Sequence, residues 1–300
     1  MNLTLEHQVI PVQPGQSLLD LIRQAEMDSP KLSARPIAAK ISGEVFTLNY
    51  IPFRQKDLDS ERPSMRRAMA ASNGEVQLLR CSDPAGRECY IRTAQFVIFL
   101  ALRQLWPEAV SVMNCTLGSS IFIEVRGAEG FSVSALKERI AAIVKENIPL
   151  IRRRVPLQAA IERFNREGQT DKARLLAYRT SNSYNEYYYG DFSDYYCGEM
   201  MPDTGYLTVW DVLAADGGFV PLYPDDRDPD QVARHGDSPN FFNVCDEGER
   251  WGQLMEDYFA ASRIDLGVLI VDYRHPPTNN DITMASWFIE SGCPFVVVAN

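Results

Sequence analysis

The first 55 residues alternate short apolar runs with turns. The runs LTL and VIPV lie before a Pro-Gly turn at Pro14 and Gly15, and SLLDLIRQA then has the spacing of a short helix with Ser17 as its N-cap. Two further apolar runs in PIAAKISGEVFTLNY predict more strands. Several strands around one short helix predict a small β-grasp domain over residues 1–55.

Residues 56–250 predict a larger α+β domain. The polar segment 56–86 predicts a connector and a hairpin, with a turn at SDPAGRE. An apolar helix is then predicted from Tyr90 onward, and Pro107 ends it.

The pattern continues with two strands, in VSVMNCTLGSSIFIEV, around a turn at Leu117 and Gly118. An amphipathic helix with Ser134 as its N-cap follows, and a second helix ends at Gly168. This mixture of hairpins and helices is typical of an α+β fold.

The last 50 residues, 251–300, have a different pattern. A helix is predicted first, followed by the apolar strand LGVLIVD, the helix DITMASWFIES and the strand CPFVVVAN. Apolar strands alternating with helices predict a short parallel α/β segment.

Composition indicates an ordinary globular protein, because 45% of residues are hydrophobic and 23% are charged. No apolar run reaches the ~18 to 20 residues that cross a bilayer, so we expect a cytoplasmic protein that does not bind membranes. The six cysteines are scattered along the sequence and the three histidines are isolated from one another. We therefore expect no zinc site made of Cys and His side chains.

The formal net charge of −10 argues against broad nonspecific binding of nucleic acid. One basic concentration stands out, formed by Arg152, Arg153 and Arg154 with Lys172, Arg174 and Arg179 further along the chain. Two interpretations stay open: these side chains meet RNA or a nucleotide phosphate, or they are solvated helix ends beside acidic neighbours.

Aromatic side chains are concentrated between residues 184 and 196. They could stack a base or nucleoside, or they could pack beneath a loop. The cluster contains Tyr184, Tyr187, Tyr188, Tyr189, Phe192, Tyr195 and Tyr196.

Two segments resemble parts of threonyl-tRNA synthetases. Pro14, Gly15 and the strand Ala39–Gly43 resemble the TGS domain, a small β-grasp interaction module. DYYCGEMMPDTGYL, residues 194–207, resembles the second additional domain, which in that family holds a metal ion and edits misacylated tRNA. The resemblance implies a TGS-like domain followed by a synthetase-editing-like domain.

The metal ligands of that family are absent from the matching positions. Aligning the chain on Gly198, Pro202 and Thr204 leaves no imidazole and no thiolate where the family has three histidines and one cysteine. The lost-ligand positions are Thr93, Val97, Tyr196 and Met200. The expected result is a metal-free vestigial pocket without a catalytic residue, and a tRNA-editing-like hydrolase is the alternative.

If the scaffold is retained, the resemblance implies that residues of two segments converge on this pocket. The candidate ligand contacts are Asn114, Cys115, Gly118, Tyr196, Cys197, Gly198, Asp203 and Thr204.

The middle block, from Ala160 to Trp251, resembles the bacterial uridine-kinase-like nucleoside kinases that carry TGS and synthetase-like domains ahead of their kinase. The implied function is the regulatory, ligand-sensing part of an ATP- and Mg²⁺-dependent parent. The chain contains no G-x-x-x-x-G-K-[ST] sequence, so we expect it to bind no cofactor by itself and to lack the kinase domain.

The segment from Trp251 onward resembles the EngB-type ribosome-biogenesis GTPases, which implies GTP and Mg²⁺ for a complete parent whose catalytic domain is missing here. The matching residues are Asp272, Arg274, His275, Pro277, Thr278, Asp281 and Asn300. A shared E-R-W-G element at residues 249–252 suggests a chimeric and truncated reading frame. The alternative is a genuine small α/β extension.

The partners expected from these resemblances are a nucleoside or nucleotide and, with less support, RNA or the ribosome.

Overall fold

The computed structural model of the chain describes residues 2–53, 67, 74–117, 120–166, 170–179, 181–233, 266–271, 279–290, 292 and 294–299. The chain divides into two compact units, residues 1–236 and residues 237–300. The mixed α+β architecture predicted from the sequence is confirmed. The domain boundaries after residues 55 and 250 stay predictions.

The first unit begins with a five-stranded sheet and one helix. In chain order the elements are β1 (Asn2–Leu5), β2 (Gln8–Pro11), α1 (Leu18–Gln24), β3 (Ala38–Ile41), β4 (Glu44–Phe46) and β5 (Glu75–Leu79). The strand order is β2-β1-β5-β3-β4; β1 and β5 run parallel, and the other neighbours run antiparallel.

The start of α1 is fixed by a capping box, as predicted for Ser17. The backbone N–H of Asp20 donates to Ser17 Oγ over 3.1 Å, and the backbone N–H of Ser17 donates to the Asp20 carboxylate over 2.8 Å. Leu18, Leu21 and Ile22 of this helix are buried, so its apolar face packs into the core.

The central strand β5 lies in the segment predicted to be a connector and a hairpin, and that prediction was wrong. Glu75–Leu79 is inserted between β1 and β3, so its pairing partners lie far away in the sequence. The predicted β-grasp sheet therefore takes a strand from beyond residue 55.

The rest of the first unit adds two antiparallel sheets and four helices within the described ranges. In chain order its elements are α2 (Pro84–Leu105), β6 (Val110–Leu117), β7 (Ser120–Arg126), α3 (Val133–Lys145), β8 (Ile151–Pro156), α4 (Leu157–Arg166), α5 (Thr170–Ala177), β9 (Ser183–Tyr189), β10 (Phe192–Asp194), a 3-10 turn (Thr204–Tyr206), β11 (Asp211–Ala215) and β12 (Gly218–Leu222). One sheet has the strand order β11-β12-β7-β6 and the other has the order β10-β9-β8.

Helix α2 runs through the centre of this unit. It begins at Pro84, earlier than the predicted start at Tyr90, because proline is favoured in the first helical turn. Leu21 of α1, Phe96 of α2 and Ile140 of α3 belong to one continuous cluster of buried apolar side chains. The five-stranded sheet and the later elements therefore share a core.

Two local predictions need correction. The N-cap of α3 is Ser132 rather than Ser134: the backbone of Ser132 is extended, and its hydroxyl accepts a hydrogen bond from the N–H of Ala135. The basic triplet 152–154 lies on strand β8, not at a helix end.

In the second unit the described residues form a parallel two-stranded sheet with one helix: β13 (Gly267–Val271), α6 (Asn279–Glu290) and β14 (Phe295–Ala299). The ring of Phe288 stacks on Phe295 with centroids 4.9 Å apart. It also lies over Gly267, where an added Cβ would come within 2.1 Å of it. The predicted parallel α/β pattern is confirmed for these elements.

None of the helices described in either unit is both long enough and apolar enough to cross a membrane.

The Tyr90 hydroxyl ties α2 to the chain that follows the 3-10 turn. It donates to the carbonyl of Val209 over 2.8 Å and accepts from the N–H of the same residue over 2.9 Å. We expect Tyr90→Phe to lower the free energy of unfolding by about 1 to 3 kcal/mol, because the part-buried N–H and carbonyl of Val209 both lose this hydrogen-bond partner. Urea unfolding followed by circular dichroism measures the change.

Tyr178→Phe is the matched control, since the Tyr178 side chain is 76% exposed and the same hydroxyl is removed without burial. Equal stability of Tyr90→Phe and wild type would show that water replaces the Tyr90 hydrogen bonds.

Candidate functional site

Residues 195–203, which we call the site loop, connect β10 to the 3-10 turn and pack on α2. The Oγ1 of Thr93 accepts a hydrogen bond from the N–H of Met201 over 3.0 Å. The same hydroxyl donates to the carbonyl of Cys89 over 2.8 Å. The Thr93 side chain is fully buried, so it holds the loop from inside the core.

Arg92, the neighbour of Thr93 in α2, also supports the loop. Its Nε donates to the carbonyl of Glu199 over 2.9 Å. Gly198 has a φ of +136°, and an added Cβ there would lie 2.7 Å from Cζ of Arg92. The positive φ favours glycine at position 198, and a side chain there would also displace the guanidinium of Arg92.

The lost-ligand positions Val97 and Met200 are both fully buried. The N–H of Met200 donates to the hydroxyl of Tyr187 over 3.1 Å. The ring of Tyr196 meets Phe96 edge-on with centroids 6.2 Å apart. The site loop thus lies against α2, and packed side chains occupy the interface between them.

These residues do not fit a zinc ion. The Thr93 hydroxyl is already engaged in two hydrogen bonds, and Val97 and Met200 supply no donor that zinc selects in structural or hydrolytic sites. Among the described residues, no group of three or more His, Cys, Asp or Glu side chains is arranged to hold a metal ion. The metal-free pocket stays a prediction.

Asp203 ends the site loop, and Thr204, the next residue, fastens this end to α3. Thr204 Oγ1 donates to the carbonyl of Ile143 over 2.8 Å and accepts from the N–H of Ile148 over 2.9 Å. Burial is the main influence on the Asp203 carboxyl and raises its pKa. These two candidates have clear structural contacts, and their predicted ligand contact stays a prediction.

A cavity of about 240 Å³ lies beside β8, β9 and the site loop. Three of the predicted candidates line it, together with three arginines. Its lining residues are Arg152, Arg154, Arg179, Ser181, Ser183, Tyr184, Asn185, Tyr195, Tyr196, Cys197 and Gly198.

The other candidates of the pocket are less fully described. The backbone of Asn114 and Cys115 belongs to β6, but their side chains lie outside what the structure describes, and so does Gly118. Cys197 is an exposed thiol at the cavity. By contrast, burial raises the pKa of Cys81 and of Cys89 to about 11, which keeps those thiols protonated at neutral pH.

The arginines of β8 have different ion-pair partners. Arg152 forms an ion pair with Glu199, whose side chain is completely buried. Arg153 Nε donates to the buried carboxylate of Glu186 over 2.7 Å, and Arg163 of α4 donates to it over 2.6 Å. Sequence analysis missed these pairs, although an arginine-rich strand opposite a glutamate-containing strand was a signal for them.

Arg154 and Arg179 differ from those arginines. Nε of Arg154 donates to Ser183 Oγ over 2.6 Å, and Nη1 of Arg179 donates to the Tyr195 hydroxyl over 2.9 Å. Neither guanidinium pairs with a carboxylate anywhere in the described part of the chain. Two positive charges thus line the cavity without a neutralising acid.

The predicted aromatic cluster is divided between the core and the cavity. Tyr187 is buried, and Tyr188 lies beneath the guanidinium of Arg153 at 4.3 Å. Tyr184 and Tyr195 both line the cavity, with centroids 5.6 Å apart. Some rings of the cluster therefore pack in the core, and others line a cavity, so both interpretations of the cluster stay open.

The GTPase-like motif lies almost entirely outside the described residues. Asp281 is in the first turn of α6. The motif residues outside the description are Asp272, Arg274, His275, Pro277, Thr278 and Asn300.

Comparison with known proteins gives matches to threonine–tRNA ligases. The chain is 23% identical over 205 residues to that of Syntrophomonas wolfei, 23% over 214 residues to that of Clostridium kluyveri and 24% over 224 residues to that of Clostridium tetani. The matches cover 67%, 70% and 73% of this chain but only 29%, 30% and 32% of the ligases. No protein-family model matches the sequence.

These similarities support one part of the predicted resemblance. A distant relationship to threonine–tRNA ligases is consistent with TGS-like and editing-like domains in the first unit. They give no support to a nucleoside kinase or an EngB-type GTPase as the parent protein.

Glu186 provides a test of the ion pairs at β8. Burial favours a raised pKa, but hydrogen bonds from Arg163, Tyr184 and Arg153 outweigh it and hold the pKa of Glu186 below its ordinary value. We expect Glu186→Gln to lower the free energy of unfolding by about 3 kcal/mol at pH 7, since it leaves guanidinium charges without their buried partner.

The pH dependence follows from the lowered pKa. The ionised Glu186 contributes full stability above the unfolded pKa of about 4.3, and this contribution is lost as the pH falls through the folded pKa. The difference between wild type and Glu186→Gln should therefore shrink on acidification below about pH 4.3. Denaturant unfolding at several pH values measures it, with exposed Glu129→Gln as the control. A difference that is independent of pH would contradict the assignment.

Proposed function

We propose that the first unit, residues 1–236, is a noncatalytic ligand-sensing unit built on a scaffold similar to the amino-terminal part of threonine–tRNA ligases. The observation that carries the proposal is the packing at the lost-ligand positions. Thr93 is engaged in two buried hydrogen bonds, and Val97 and Met200 lie in the core. Such an arrangement leaves no group to activate water by metal coordination or by an imidazole base.

The ligand that we propose is a nucleoside or nucleotide held in the cavity beside β8. Tyr184 and Tyr195 contribute aromatic rings to its lining, and Ser181, Ser183 and Asn185 contribute polar side chains. Binding without hydrolysis suits a regulatory part of a larger protein. The resemblance that implies a uridine-kinase-like parent stays a prediction, and the similar ligases give it no support.

Hydrolysis of misacylated tRNA tests the noncatalytic part of the proposal. The purified chain is incubated with threonine tRNA that has been misacylated with serine, with and without added Zn²⁺. Release of serine is followed over time. We expect the rate to equal that of spontaneous hydrolysis in both conditions, because no side chain of the site is placed to activate water.

An editing-active threonine–tRNA ligase serves as the positive control for the substrate. Zn²⁺-dependent acceleration by this chain, absent after addition of a chelator, would overturn the proposal and favour the hydrolase alternative.

A further inference from the structure

Arg154 and Arg179 supply an unneutralised positive charge in a protein whose net charge is −10. The third arginine of the cavity, Arg152, is neutralised by the buried Glu199. Asp194, which directly precedes the site loop, is paired with Lys172 over 2.7 Å. Two guanidinium groups at the cavity are thus available for an anion from outside.

The chemistry of these groups favours a phosphate. A guanidinium carries five N–H donors, and the hydrogen bonds of Arg154 to Ser183 and of Arg179 to Tyr195 use one donor each. The remaining donors are arranged in planar forks that match the oxygens of a phosphate group. Ser183 lines the same cavity, and its hydroxyl accepts from Arg154 while keeping its own proton for a phosphate oxygen.

The size of the cavity limits the ligand. Its volume of about 240 Å³ is below the roughly 300 Å³ at the lower end of small-molecule pockets. The cavity therefore suits a small group such as a phosphate or phosphoribosyl group better than a long RNA segment. The guanidinium carbon of Arg179 lies over the ring of Tyr195, 5.3 Å from its centroid, so a phosphate ligand and an aromatic side chain are adjacent in the cavity wall.

We infer that this cavity binds the phosphate monoester of a mononucleotide, with Arg154 and Arg179 as its phosphate ligands. The inference rests on the proposed ligand-sensing function and adds the chemical class of the ligand. The phosphate is the group recognised, and the nucleoside contributes through the aromatic wall.

Isothermal titration calorimetry of the full chain tests the inference, in a phosphate-free buffer of constant ionic strength. The probes are UMP, AMP, uridine, adenosine and inorganic phosphate. We expect at least one of the two nucleotides to bind about tenfold or more tightly than its nucleoside, because charge-assisted hydrogen bonds to phosphate are made only by the nucleotide. That nucleotide should also bind more tightly than inorganic phosphate.

Two variants locate the site. Arg154→Gln and Arg179→Gln should each weaken binding of the nucleotide by about tenfold and leave binding of the nucleoside unchanged. Arg174→Gln, an exposed arginine of α5 that does not line the cavity, removes the same charge and should leave the affinity unchanged. The affinity of the wild-type protein for the nucleotide should rise as the pH is increased through about 6, because the phosphate monoester then gains its second negative charge.

Several results would overturn the inference. Equal affinity for nucleotide and nucleoside would leave the ligand-sensing proposal intact but remove the phosphate site. Equal weakening by Arg174→Gln would show a diffuse charge effect, and phosphate binding as tightly as the nucleotides would exclude a nucleotide site. Absence of binding by all five probes would overturn this inference together with the ligand-sensing proposal. If a variant fails to fold, the wild-type ratio of nucleotide to nucleoside affinity decides.

Discussion

Two carboxylates without exposed side-chain surface, Glu186 and Glu199, constrain the organisation of β8 and its surroundings. A buried charge is strongly unfavourable unless an opposite charge and hydrogen bonds compensate for it. Arg152 compensates Glu199, while Arg153 and Arg163 compensate Glu186. Because these pairs occupy some of the local guanidinium groups, they also decide which arginines remain for a ligand. The same electrostatic requirement therefore shapes both the stability of this region and the character of the cavity.

The site loop keeps its position by packing and backbone hydrogen bonds. Thr93 holds its middle from α2, and Thr204 fastens its end to α3. The five-stranded sheet region also contributes, since Asn49 Nδ2 donates to the carbonyl of Pro202 over 2.6 Å. Arg35 lies 3.7 Å from the ring centroid of Tyr206 just beyond the loop. A loop with this many direct contacts requires no metal ion to fix its course.

The distant similarity to threonine–tRNA ligases is consistent with this picture. A scaffold can persist while its chemistry changes, because the fold depends on a distributed core and catalysis depends on a few donor groups. In this chain Val97 and Met200, which the predicted resemblance aligns with donor positions, are buried in the core. The proposed function assigns ligand recognition to side chains at the neighbouring cavity, where charged and aromatic residues occur together.

Local features of the sequence determined much of the fold. The cap at Ser17, the hairpin of β6 and β7 and the parallel pattern of the last segment were predicted, because caps, turns and apolar periodicity act over a few residues. The sequence also showed that the aligned positions carry no imidazole and no thiolate group. The role of β5, the pairing of Arg152 and Arg153 with buried acids and the assembly of the cavity were decided only by tertiary structure. Each depends on contacts between distant segments, whose strand order, burial and charge compensation no local pattern specifies.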